Sequence, residues 1–133
     1  MARSKKALAS SIYRMKIVLS RIKPQVWRRL EIPGDVKLSR LRSIFIEGMG
    51  WMDCHLHRFT IGGISYGIPD PDFPDDMEDG KRFTLAQVAP PVKGKFRFDY
   101  DFGDDWDHVV TVEEIMEPEA GVVYPRCTGG ANA

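Results

Sequence analysis

FRFDYDFGDDWDHVVTV, residues 96–112, is the stretch that decides the fold. Phe96, Phe98, Tyr100 and Phe102 alternate with Arg97, Asp99 and Asp101, the period of two that puts one set of side chains in a core and the other in water. Gly103-Asp104-Asp105 follows, with the small and acidic residues that tight turns use. Trp106, His108, Val110 and Val112 then resume the alternation. Two such runs across a short turn predict an antiparallel hairpin.

Two more hairpins lie upstream. Tyr13, Met15, Ile17 and Leu19 alternate with polar residues up to a turn at Ile22-Lys23-Pro24-Gln25, and Val26, Leu30 and Ile32 run back as far as Pro33-Gly34-Asp35. Residues 55–61 place His55, His57, Phe59 and Ile61 on one strand face, and Gly62-Gly63 turns the chain into Ile64-Ser65-Tyr66. Between these hairpins Leu38, Leu41, Phe45 and Met49 recur at helical steps, widened by Ile44. Asp35 or Lys37 lies near the start of that helix and Gly48 and Gly50 mark its exit. Thr84 to Val88 reads as one helical turn, capped by Thr84 and stopped by Pro90-Pro91. Residues 69–80 read as an acidic, proline-containing loop, and Glu117 to Ala133 shows no regular pattern. The expectation is an α+β domain: a largely antiparallel sheet of hairpins covered by one main helix. Residues 1–10 are expected to form a flexible N-terminal arm and residues 11–133 a single domain.

Composition sets the class. Over 133 residues, 43% hydrophobic and 29% charged residues are the mix of an ordinary globular domain. Two cysteines, Cys54 and Cys127, and no apolar run after the basic N-terminus point to a reducing, cytoplasmic setting and no membrane. The formal net charge is zero, yet residues 1–42 carry +10 and residues 43–133 carry −10. Such a division marks either a surface for an acidic partner or two halves that neutralise one another within one fold.

The motifs resemble those of the plasmid pRiA-type ORF-three-like family. Ile22 to Arg29 is similar to its opening motif. Leu38 to Leu41, Met49-Gly50-Trp51, His55-Leu56-His57 and Phe59 are similar to its middle, and Tyr100 to His108 to its most specific signature. Tyr124-Pro125, Cys127 and Gly129-Gly130 resemble the start of its last motif. The resemblance implies an α+β fold and, through members described as resolvase-like or repressor-like, a link to mobile DNA or nucleic acid. Family members continue into an acidic tail containing cysteine and proline, and this sequence stops at Ala133 before it.

The chemistry-bearing residues fall into two groups. His55 and His57 lie two apart on a strand and so share a face, and His108 follows the acidic turn. If the strands are neighbours, these imidazoles with Asp104 form a candidate site, to which Cys127 is added. Such a set suits zinc and an activated water, a metal-assisted hydrolase. The plainer expectation is a structural network in which a core histidine bonds an acid such as Asp104. The second group, Arg21, Lys23, Trp27, Arg28 and Arg29, is a basic hairpin with an aromatic residue, the candidate nucleic-acid surface. Arg28 and Arg29 fall on opposite strand faces, so a regular strand cannot merge them into one patch, and they are expected to pair with Asp99, Asp101 or Asp104. The acidic loop from Asp70 has Asp75 and Lys81 where a calcium loop needs glycine and glutamate, and Asp101-Phe102-Gly103 lacks every other kinase motif. No cofactor is named by any motif. A binding or accessory module with an unknown ligand is the leading expectation, with the hydrolase as the alternative.

Overall fold

The computed structural model describes residues 5–20, 22–50, 56–72, 77–100 and 106–132. Its strands are β1 (Ile12–Leu19), β2 (Val26–Pro33), β3 (His57–Ile61), β4 (Ile64–Gly67), β5 (Glu78–Asp79), β6 (Lys95–Tyr100), β7 (Trp106–Met116) and β8 (Arg126–Ala131). Its helices are α1 (Lys5–Ser10), α2 (Leu38–Met49) and α3 (Leu85–Val88).

All eight strands join one sheet in the order β5-β4-β3-β6-β7-β1-β2-β8. The three hairpins expected from alternation are present as β1–β2, β3–β4 and β6–β7. The aromatic β6–β7 hairpin is the bridge between the other two, pairing β6 with β3 and β7 with β1. The domain is therefore α+β and mostly sheet, but the sheet is mixed and carries three helices among the described residues. The parallel pair is β4–β5, with Tyr66 opposite Glu78 and Gly67 opposite Asp79. A two-residue strand has no period to read, so it was hidden inside the acidic loop.

Register explains the core. One face carries Tyr13, Met15, Ile17, Leu19, Leu30, Ile32, Phe59, Phe96, Phe98, Val110 and Val112, all buried. Helix α2 lies on this face and buries Leu38, Leu41, Ile44, Phe45, Ile46 and Met49. The Phe45 ring is the hub, with centroids 5.4 Å from Phe98, 5.9 Å from Phe59 and 6.5 Å from Phe96. Lys37 gives α2 no side-chain cap; instead the Leu38 N–H donates to the Phe83 carbonyl at 3.0 Å. Gly50, in the left-handed region at φ 80°, ends the helix. Thr84 and Gln87 close a reciprocal capping box around α3.

Both chain ends differ from the sequence reading. Lys5–Ser10 is a helix rather than a featureless arm, and the Ser11 hydroxyl donates to the Ala7 carbonyl at 2.7 Å. Six residues are too few to display a helical period. The stretch from Glu117, expected to be irregular, contains β8, which pairs antiparallel with β2. Its residues, Arg-Cys-Thr-Gly-Gly-Ala, show no alternation because the main-chain ladder, not an apolar face, holds this edge strand. Gly130 is required there: a Cβ would lie 2.7 Å from Arg28 Cδ and 2.9 Å from the Trp27 carbonyl oxygen.

Candidate functional site

His57 and His108 project from β3 and β7 onto the helix-covered face. His57 is 5% exposed, with its ring edge-on to Phe59 at 5.8 Å and 6.3 Å from Phe98. His108 is fully buried, with its ring 5.5 Å from Phe98. Its Nδ1 lies 3.1 Å from the Phe98 carbonyl oxygen. A carbonyl only accepts, so Nδ1 carries a proton and donates it. This contact is with main chain; Asp104, the acid that the sequence pointed to, lies outside the described residues. Strand β6 runs between the two histidine strands, and Phe98 touches both rings. His55, Asp104 and Cys54 lie outside the described residues, as do Asp101 and Arg21. Among the described residues no group of three His, Cys, Asp or Glu side chains is placed to hold a metal. Cys127 is on edge strand β8, separated from the histidine strand β7 by β1 and β2. It is exposed, and its thiol donates to the Gly129 carbonyl at 3.3 Å.

The basic hairpin divides as its alternation requires. Arg28 turns to the helix side, where Nε donates to the Gly48 carbonyl at 3.0 Å and Nη1 to the carbonyls of Trp27 (2.7 Å) and Ala131 (3.2 Å). It thus ties the end of α2 to β2 and β8. Arg29 turns to the opposite, open face and grips Glu113 at 2.6 and 3.2 Å. That bond raises the Arg29 pKa and holds the Glu113 carboxyl below its usual range. On the same face the Trp27 ring has Lys16 Nζ 4.8 Å and Arg29 Cζ 5.2 Å from its centroid, both within cation–π range. Lys23 is exposed at the hairpin tip.

Sequence reading missed Glu31. It occupies a position that alternation assigns to solvent, yet it is 1% exposed. Arg126 Nε donates to Oε1 at 2.6 Å, while Arg14 Nε and Nη2 donate to Oε2 at 3.0 and 2.9 Å. Arg14 Nη1 reaches on to Glu114 at 2.8 Å. Burial pushes the Glu31 carboxyl up, and Arg126 and Arg14 more than reverse it, so its pKa is lowered. The result is a row of alternating charge, Arg126–Glu31–Arg14–Glu114, across β8, β2, β1 and β7. A base of the first half meets an acid of the second in the Arg14–Glu114 and Arg29–Glu113 pairs. The signal in the sequence was the equal distance of Arg14 and Glu31 from the hairpin turn.

A second polar cluster sits at the root of the β6–β7 hairpin. Asp99 and Asp107 are directly opposite across the strands. Arg97 Nη2 contacts both carboxylates, at 3.3 and 3.2 Å. Burial first, and then the hydrogen bond that its protonated form donates to Asp107, push the Asp99 carboxyl up to about 6.

The two groups of sequence candidates meet at one end of the sheet. Leu19, the last residue of β1, is paired with His108, and the Ser20 N–H donates to the Asp107 carbonyl at 2.8 Å. His57 pairs with Tyr100 at the same end. A cavity of about 650 Å³ opens there beside the hairpin tip, lined among the described residues by Val18, Leu19, Ser20, Ile22, Lys23 and Gln25.

These features define an α+β domain whose mixed sheet has one helix-covered face and one open, charge-laced face. The chain belongs to the family of plasmid pRiA4b ORF-3-like proteins, whose pattern it matches over residues 11–133. It is 33% identical over 119 residues to the uncharacterized protein y4hQ of Sinorhizobium fredii, a match covering 89% of this chain and 61% of that protein. The chain thus spans less than two thirds of that relative's length. The crystal structure of MM3350, a protein of unknown function from Methanosarcina mazei Go1, is similar with a TM-score of 0.81 and 31% identity, over 90% of this chain and 69% of that one. No helix among the described residues is long and apolar enough to cross a membrane.

Proposed function

We propose that this domain is a non-enzymatic binding or accessory module, and that its partner is nucleic acid, engaged by the β1–β2 hairpin. One observation carries the reading: Trp27 stands beside two cations, Lys16 and Arg29, on the open sheet face, in the hairpin whose tip presents Lys23. Cations fix a phosphate backbone without reading sequence, and an indole adds apolar contact to bases. Because Glu113 already holds Arg29 and Arg28 is spent on main-chain carbonyls, the electrostatic contribution is small, on the order of three phosphates. The alternative hydrolase leans on His55 and Asp104, and His57 and His108 are enclosed by aromatic rings.

Fluorescence anisotropy with a labelled DNA duplex tests the proposal. Three phosphate contacts lower affinity about 40-fold between 50 and 200 mM salt. Lys23→Glu should weaken binding and flatten that slope. No binding at low salt, or a flat response, removes nucleic acid as the partner. Robust turnover in a substrate panel, with stoichiometric metal and loss of activity in a folded His108→Ala protein, overturns the non-enzymatic reading.

A further inference from the structure

We infer a second, separate binding site: the cavity between α1, α3 and β4 takes a neutral, largely aromatic small molecule that carries one hydrogen-bond acceptor. The cavity measures about 730 Å³ and is lined, among the described residues, by Leu8 and Ala9 of α1, Tyr66 of β4, and Phe83, Thr84, Ala86, Gln87 and Val88 at α3. That volume falls within the roughly 300–1,000 Å³ of small-molecule sites, which are mostly apolar with a few placed polar groups.

The lining selects the chemistry. None of these residues is charged, so the described lining offers an anion no counterion. Phe83 and Tyr66 meet edge-on, with centroids 5.2 Å apart, and form an aromatic wall suited to a flat ring. The Thr84 hydroxyl already accepts from the Gln87 N–H, and the Gln87 side-chain oxygen accepts from the Thr84 N–H. This leaves Tyr66, 5% exposed as a residue, with a hydroxyl that reaches solvent and makes no hydrogen bond among the described residues. Such an accessible donor on a mostly apolar wall is the kind of placed polar group that an acceptor on a ligand would meet. Burial and then the nearby Glu78 carboxylate raise the Tyr66 pKa, so the phenol stays protonated and donates. The same carboxylate disfavours an anion beside the ring.

The site is tested with three probes of one size: acetophenone, which has a ring and an acceptor; ethylbenzene, which lacks the acceptor; and benzoate, which is charged. Amide chemical shifts are followed in the intact protein. Acetophenone is expected to move the signals of Leu8 and of Phe83 to Val88 saturably, and more tightly than ethylbenzene. Tyr66→Phe should weaken acetophenone about two- to twelvefold, the range of one neutral hydrogen bond, and leave ethylbenzene unchanged. Unchanged ethylbenzene binding also reports that the variant keeps its cavity. The inference falls if acetophenone gives no saturable shifts there, if Tyr66→Phe affects both neutral probes equally, or if benzoate binds as well as acetophenone. None of these outcomes bears on the DNA titration.

Discussion

Replacing Glu31 should cost more stability than any surface ion pair suggests, because the carboxylate is buried while its partners are not. Its three short contacts, at 2.6, 2.9 and 3.0 Å, join β8 and β1 to β2. Removing one member of a fully buried pair costs about 3–5 kcal/mol, since the other is stranded. Here Arg14 and Arg126 are 35% and 41% exposed, so their guanidiniums can rehydrate, and the loss for Glu31→Ala should be nearer 2–3 kcal/mol. At roughly 2.1 cal/mol/K of unfolding entropy per residue, a chain of this length should lose about 7–11 °C in Tm. Glu31→Gln keeps shape and some hydrogen bonding and should lose about half as much. The sign of the pH dependence follows from the lowered pKa. The contribution is present above the ordinary carboxyl value of 4.5 and disappears as pH falls through the lower folded value. Urea denaturation from pH 7 to pH 3 checks both points: the wild type should converge on Glu31→Gln at the acidic end. A loss below about 0.5 kcal/mol for Glu31→Ala at pH 7, or parallel pH profiles, would refute the reasoning.

Asp99 behaves in the opposite sense. Its folded value of about 6 exceeds the ordinary 3.8, so its stabilisation is complete below 3.8 and is lost as pH rises through 6. Asp107→Asn should therefore stabilise the protein at pH 7.5 and move the Asp99 carbon-13 titration toward the usual carboxylate range; a wild-type Asp99 that titrates near 4 contradicts this. Gly130→Ala should cost about 1–3 kcal/mol through overpacking against Arg28, and hydrogen exchange should quicken in β8 before the central strands. Unchanged protection in β8 would mean that the close approach of Arg28 is not a constraint.

What the sequence made legible was what side-chain period controls. Phe96 to Val112 had to be a hairpin, and the β1–β2 and β3–β4 hairpins followed by the same logic, as did the stripe from Leu38 to Met49. The opposite orientations of Arg28 and Arg29 were legible too. What stayed hidden was structure held by main chain or by distant charge. Strand β8 lacks a face, β5 lacks length, and α1 lacks both. Glu31 read as a solvent position because alternation reports side, not depth, and depth came from two guanidiniums closing over it. The neighbourhood of the hairpin tip, His108 and His57 required the strand order. Adjacent residues in sequence gave no hint that β7 pairs with β1.

The central place of the β6–β7 hairpin has a consequence for how the chain is made. Residues 95–116 are synthesised late, yet they join two earlier hairpins that do not touch one another in the sheet. Until Met116 has left the ribosome, β1 and β3 each present an unpaired edge and an apolar flank. Pairings this remote along the chain form slowly and expose such edges meanwhile. A chain cut before Lys95 therefore lacks the strands that unite the two hairpins into one sheet.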